Sequence, residues 1–215
     1  MVLHKLINHE EDLENGEMDE MPENGGTWSP LSLTFFGRTS RAILLSGEVT
    51  PELANCIVSQ LLELMAESAE EPIYIYINTP GGSITAGLAI YDAMRIVPCP
   101  IITIVMGECH SAGLFILQGG DRRAAMPNSS FFYHEPISES AVNTNIASLA
   151  NAQHYHQCLV KITEILTTRS KITKTAWKKN FEGKTAFFFN AEQAKEFKMI
   201  DEIVEYSKPR PLKFK

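Results

Sequence analysis

The chain has no apolar run approaching the ~20 residues of a membrane span, and it does not open with the basic-then-apolar pattern of a secretory signal. A spanning helix and a secretory leader are therefore not expected. The four cysteines, Cys56, Cys99, Cys109 and Cys158, include no C-x-x-C pair. That scatter argues against a zinc ribbon or dithiol motif and for free thiols in a reducing compartment. Basic residues are in deficit: 19 Lys and Arg against 26 Asp and Glu leave a charge of −7, which speaks against a nucleic-acid role. The first residues are acidic where an organellar leader would be basic, so a cytoplasmic location is expected. What is present, 44% hydrophobic residues in a chain of 215, suffices for the core of one domain.

The most informative stretch surrounds Ser111. A β-branched run, Ile101-Ile102-Thr103-Ile104-Val105-Met106, breaks at Gly107; Glu108-Cys109-His110-Ser111-Ala112-Gly113 and the apolar Leu114-Phe115-Ile116-Leu117 follow. This pattern predicts a strand, a turn carrying Ser111, and a helix. A hydroxyl beside backbone N–H groups at a helix N-terminus is half of an acyl-transfer site. For a lone serine, helix capping is the competing reading. Upstream, Ile73-Tyr74-Ile75-Tyr76-Ile77 ends in Asn78-Thr79-Pro80-Gly81-Gly82-Ser83, and Ala86, Ile90, Ala93 and Val97 then keep helical spacing. Two strand–turn–helix units in succession predict parallel βαβ architecture with both turns at one sheet edge, where open α/β sheets hold ligands. Gly81-Gly82 admits close approach of backbone to a substrate.

Downstream, Phe131-Phe132-Tyr133-His134 is an aromatic strand ended by Pro136. A histidine at that strand end, on the same edge as Ser111, suits a general base. Other polar clusters carry less. Glu108, Cys109 and His110 are consecutive and cannot converge on one ion, so no metal is expected. His110 is read as packing at the helix start, and His154 and His156, two apart on a helix, as solvent or packing residues.

Residues 1–30 form a segment, expected to be mobile, whose acid-rich stretch ends in Gly25-Gly26; 31–205 form the domain; 206–215 are a basic tail. Thr50 and Pro51 predict a helix start, with Leu53, Ile57, Leu61 and Leu64 on one face. A polar loop, 138–144, precedes a long helix to about Thr168 with Tyr155, Leu159, Ile162 and Leu166 on one stripe. Asn190 and Gln193 predict a capped final helix.

From about Ser40 to Glu205 the chain resembles the Clp protease proteolytic subunit family, ClpP. The matching stretches include Ile43-Leu44-Leu45-Ser46-Gly47-Glu48-Val49, the Tyr76–Gly87 stretch, Ala89-Ile90-Tyr91-Asp92-Ala93-Met94, the Ser111 turn, Met126-Pro127-Asn128-Ser129, His134-Glu135-Pro136 and Ala191–Phe197. The resemblance implies an α/β, ClpP/crotonase-like fold of repeated parallel β-α units with a protruding handle helix. It implies a serine endopeptidase, without cofactor, that forms a heptameric ring and cleaves unfolded polypeptides delivered by an AAA+ unfoldase in ATP-dependent protein quality control. By position, Ser111 is the nucleophile, His134 the base, and the N–H groups of Gly82 and Ala112 the oxyanion hole.

The third triad member departs from the family pattern. The family's aspartate position, five residues before Ala191, holds Ala186, and the Phe181–Phe189 segment is longer than usual. The expectation is a weak Ser–His dyad, or a substitute orienter such as Glu182 or a backbone carbonyl, because losing the acid can cost about four orders of magnitude in rate. A weakly active or inactive subunit and a phage capsid-maturation peptidase of the same fold remain alternatives. From another class, a crotonase-type acyl-CoA enzyme shares the fold and the paired-amide oxyanion hole.

Overall fold

Alternation in Ala42–Ser46 (β1) buries Ile43 and Leu45, which opens the sheet. The computed structural model describes residues 41–134, 145–170, 175 and 186–206. The acidic segment 1–30, the loop 138–144, Glu182 and residues 207–215 of the tail lie outside them.

The Thr50 hydroxyl accepts the Leu53 N–H (3.2 Å) and Pro51 occupies the first turn of Pro51–Glu67 (α1), as the sequence predicts. Its Leu53, Ile57 and Leu61 are buried and Leu64 is partly so. Ile73–Thr79 (β2) buries Ile73, Ile75, Ile77 and Thr79. Ser83 caps Ile84–Ile96 (α2) at the Ala86 N–H, and Ala86, Ile90 and Ala93 face inward, with Val97 just beyond. Ile101–His110 (β3) is the central strand: β1 pairs in parallel with β2, and β2 with β3.

Here the structure departs from expectation. The strand does not stop at Gly107 but runs on to His110. Ile102–Val105 of β3 pairs with Arg122–Ala125 (β4), whereas Glu108–His110 pairs with Ser130–His134 (β5), both in parallel. The strand changes partner at Gly107, which sits at φ 101°. A Cβ there would stand 2.5 Å from the Asn78 side-chain oxygen, and that oxygen accepts the Glu108 N–H at 3.1 Å. Gly107 is a bend within the strand rather than its end.

The helix after Ser111, Ala112–Leu117 (α3), is only six residues long and buried throughout, so its apolar run marks a core plug rather than an amphipathic face. Asn145–Ser170 (α4) extends to Ser170, slightly beyond expectation. It buries Cys158, Ile162 and Leu166 with Leu159 half-buried, and the Tyr155 side chain lies outside the described residues. Ala186–Asn190 (β6) runs antiparallel to β5, with Phe131 opposite Phe189 and His134 opposite Ala186. Asn190 and Gln193 form the expected reciprocal cap of Ala191–Glu196 (α5). Lys198 then turns left-handed at φ 57°. Glu202–Ile203 (β7) closes the far edge against β4. The main sheet order is β1-β2-β3-β4-β7, with β5 and β6 branching from the end of β3. This mixed α/β, mostly parallel architecture is the ClpP/crotonase-like fold.

Candidate active site

The branching of the sheet builds the site. The tip of β3 and the strand β5 lie side by side, and the Ser111 N–H donates to the Phe132 carbonyl at 2.9 Å. Ser111 is thereby held two residues along β5 from His134. Its backbone lies at φ 50°, ψ −114°, a conformation a non-glycine residue rarely adopts and that costs about 1–3 kcal/mol. Its side chain makes no capping bond to α3, so the capping reading fails. The hydroxyl instead lies 2.8 Å from His134 Nε2.

The glycine turn packs onto the same spot. A Cβ on Gly81 would fall 2.6 Å from Ser111 Cβ and 3.0 Å from the Ala112 nitrogen. A Cβ on Gly82 would fall 2.5 Å from the Val49 carbonyl oxygen. Both residues have positive φ, 95° and 147°, so this turn requires glycine twice over. The Val49 N–H donates to Gly81 O and the Ser83 N–H to Val49 O, each at 2.8 Å. That bridge occupies the two flanking peptides and turns the Gly82 N–H to the opposite side. The Ala112 N–H opens α3, where helix geometry leaves it without an intrahelical acceptor. Thr79 braces the turn, donating to Gly47 O (2.5 Å) and accepting the Gly81 N–H (3.0 Å).

Gly82, Ser111, Ala112 and His134 all line one cavity of about 610 Å³. Its far wall is α4, through Cys158, Leu159, Ile162 and Leu166. All four site residues expected from the sequence are thus brought together. A model of the Clp protease family matches residues 33–207, which covers every described strand and helix. The chain belongs to the Clp protease family.

Membership in the Clp protease family supports a ClpP-like peptidase, a hydrolase. No helix among the described residues is long and apolar enough to cross a membrane. Ala186, the residue expected at the family's aspartate position, lies directly across from His134 on β6.

Three features were not legible from the sequence. His110 lies between Glu108 (Nδ1 to Oε2, 3.2 Å) and Ser130 (Nε2 to Oγ, 3.3 Å), and packs edge-on against Phe132 and Phe188. Burial lowers its pKa, and the Glu108 carboxylate only partly opposes this. His154 joins the cavity wall with its Nε2 3.7 Å from Cys158 Sγ. Arg123, nearly buried, spans Asp201 (2.7 Å), the Gln118 side chain and the Arg169 carbonyl (3.0 Å), tying β4 to the ends of α3 and α4. Ser130, Phe188 and Asp201 are far from these partners in sequence, and no local pattern announces such pairs. Cys109 is buried beneath the site, where desolvation pushes its thiol far up, so it stays an inert core residue.

Proposed function

We propose that this Clp protease family member is a serine endopeptidase that cleaves unfolded polypeptide through an acyl-enzyme. The observation that carries the reading is the 2.8 Å Ser111 Oγ–His134 Nε2 contact, made by a serine strained out of its capping role. Ser111 Oγ attacks the scissile carbonyl as its proton passes to His134 Nε2. The N–H groups of Gly82 and Ala112 hold the developing oxyanion. His134 then gives its proton to the leaving amine, and water, activated by the same imidazole, releases the acyl product. The apolar wall from Leu114, Leu159, Ile162 and Leu166 receives a substrate side chain. None of these steps calls for a cofactor.

Family membership supports the wider setting: a cytoplasmic homo-oligomeric ring that encloses its sites and receives substrate from an AAA+ unfoldase. The absent carboxylate at 186 favours slow catalysis, and a silent subunit is the second reading on that observation. A crotonase-type acyl-CoA reaction would use the two amides but gives no role to a bonded Ser–His pair.

Hydrolysis of a short fluorogenic peptide and of unfolded casein, set beside turnover of an acyl-CoA, tests the reading. Ser111→Ala and His134→Ala should each abolish peptide hydrolysis, and the double variant should be no worse than either, because such groups act as a unit. Undiminished cleavage by Ser111→Ala, or acyl-CoA turnover in place of peptide hydrolysis, contradicts it.

A further inference from the structure

Resting on that peptidase reading, we infer that Phe132 is a positioning residue: its ring sets the plane of the His134 imidazole and supports the positive charge that His134 takes up during acyl transfer. Alternation along β5 puts Phe132 and His134 on one face of the sheet. Their rings stack with centroids 5.4 Å apart and planes 28° from parallel. Phe132 is itself backed from two sides. Phe188, its cross-strand partner on β6, stacks on it at 4.3 Å and 27°. His110, its partner on β3, meets it edge-on at 5.8 Å and 73°. The bonds from Glu108 and Ser130 in turn fix the His110 ring.

The chemistry follows from the charge that moves. When Ser111 loses its proton, His134 becomes a cation, and an aromatic face within ~6 Å attracts a cation through its quadrupole. Stacking also limits rotation of the imidazole about χ2, otherwise a broad torsion. The same cluster accounts for Phe188, which is 66% exposed: its outer face meets solvent while its inner face keeps Phe132 upright.

The test compares wild type with Phe132→Leu and Phe132→Met, which keep apolar bulk without a π-face, and with Phe132→Tyr, which keeps the ring. Peptide hydrolysis is followed over a pH series. Loss of the cation contact should lower kcat for Leu and Met by about 5- to 30-fold with KM unchanged. The acid limb of the kcat/KM profile should move to lower pH, because the protonated imidazole has lost support. Phe132→Tyr should stay near the wild-type rate. Wild-type kcat and an unmoved acid limb in Leu or Met overturn the inference, as does a loss in Tyr equal to that in Leu. A variant that fails to fold is recognised by its near-ultraviolet circular dichroism, and the other aliphatic variant then decides. Absence of Ser111-dependent hydrolysis in the wild type would instead strike the peptidase reading itself.

Discussion

Ser111 is strained and His110 is desolvated, and both sit within one turn of the same strand end. Backbone strain and a desolvated imidazole thus meet at the proposed site. Position 186 is the most testable residue-level feature. Position 186 faces His134 across the β5–β6 pair, where Cβ atoms lie about 4.5–5.5 Å apart. Ala186→Asp should therefore favour the imidazolium, move the acid limb of peptide hydrolysis to higher pH and raise kcat about tenfold. An unchanged profile with unchanged kcat would mean the new carboxylate does not act on His134. His110 gives a stability prediction of its own. Its folded-state pKa lies below the ordinary value near 6.5, so the unfolded chain takes up the proton first. Its contribution is complete above pH 6.5 and declines as pH falls from there through the folded value. His110→Phe should flatten that acid loss in urea unfolding; an identical slope in both proteins would contradict the desolvated state of His110. Ser111 and His134 were readable in the sequence because each ends a β-rich run at a turn. The partners of His110 were not, because register alone brings Ser130 and Phe188 to it.

Among the elements, the Gly81–Gly82 turn is the one the site tolerates least change in. Gly82→Ala places a methyl group against the Val49 carbonyl at a φ that L-residues rarely adopt. The turn must shift, carrying its N–H off the proposed oxyanion position. Loss of one such donor lowers kcat by about 10²–10³. Gly47→Ala is the control: φ is also positive, 82°, but nothing lies within 4 Å of the new Cβ. It should lower stability by about 1–2 kcal/mol and leave kcat near wild type. Equal loss of kcat in both variants would remove the specific role given to Gly82. The helices α1 and α2 were legible because apolar spacing marks both, and Thr50 and Pro51 mark the start of α1. The run after Ser111 foretold a helix but not its length, since complete burial erases helical periodicity. The extension of β3 past Gly107 was equally hidden, because its bend depends on Asn78 from another strand.

For the whole molecule, the order of βα units made the parallel sheet predictable, while its fork into β4 and β5 was not, since both partners compete for one strand. The Arg123 bridge to Asp201 and Arg169 closes the molecule around that fork. Several large apolar side chains stay exposed on the single chain, among them Ile96 at 78% and Val160 on α4 at 53%. Ring assembly would cover such groups, with head-to-tail contacts that close by rotation. Light scattering at micromolar concentration should report a multiple of the 24.0 kDa chain mass, and a stable monomer would count against the proposed ring.

The most direct measurement is covalent. A fluorophosphonate probe reacts with a serine only when a neighbouring base activates it and donors steady the oxygen it leaves charged. Labelled protein, digested and read by mass spectrometry, should carry the adduct on Ser111, with no adduct in Ser111→Ala and greatly slowed labelling in His134→Ala. Adduct on another serine, or none on a folded wild-type chain, would contradict the acyl-enzyme account.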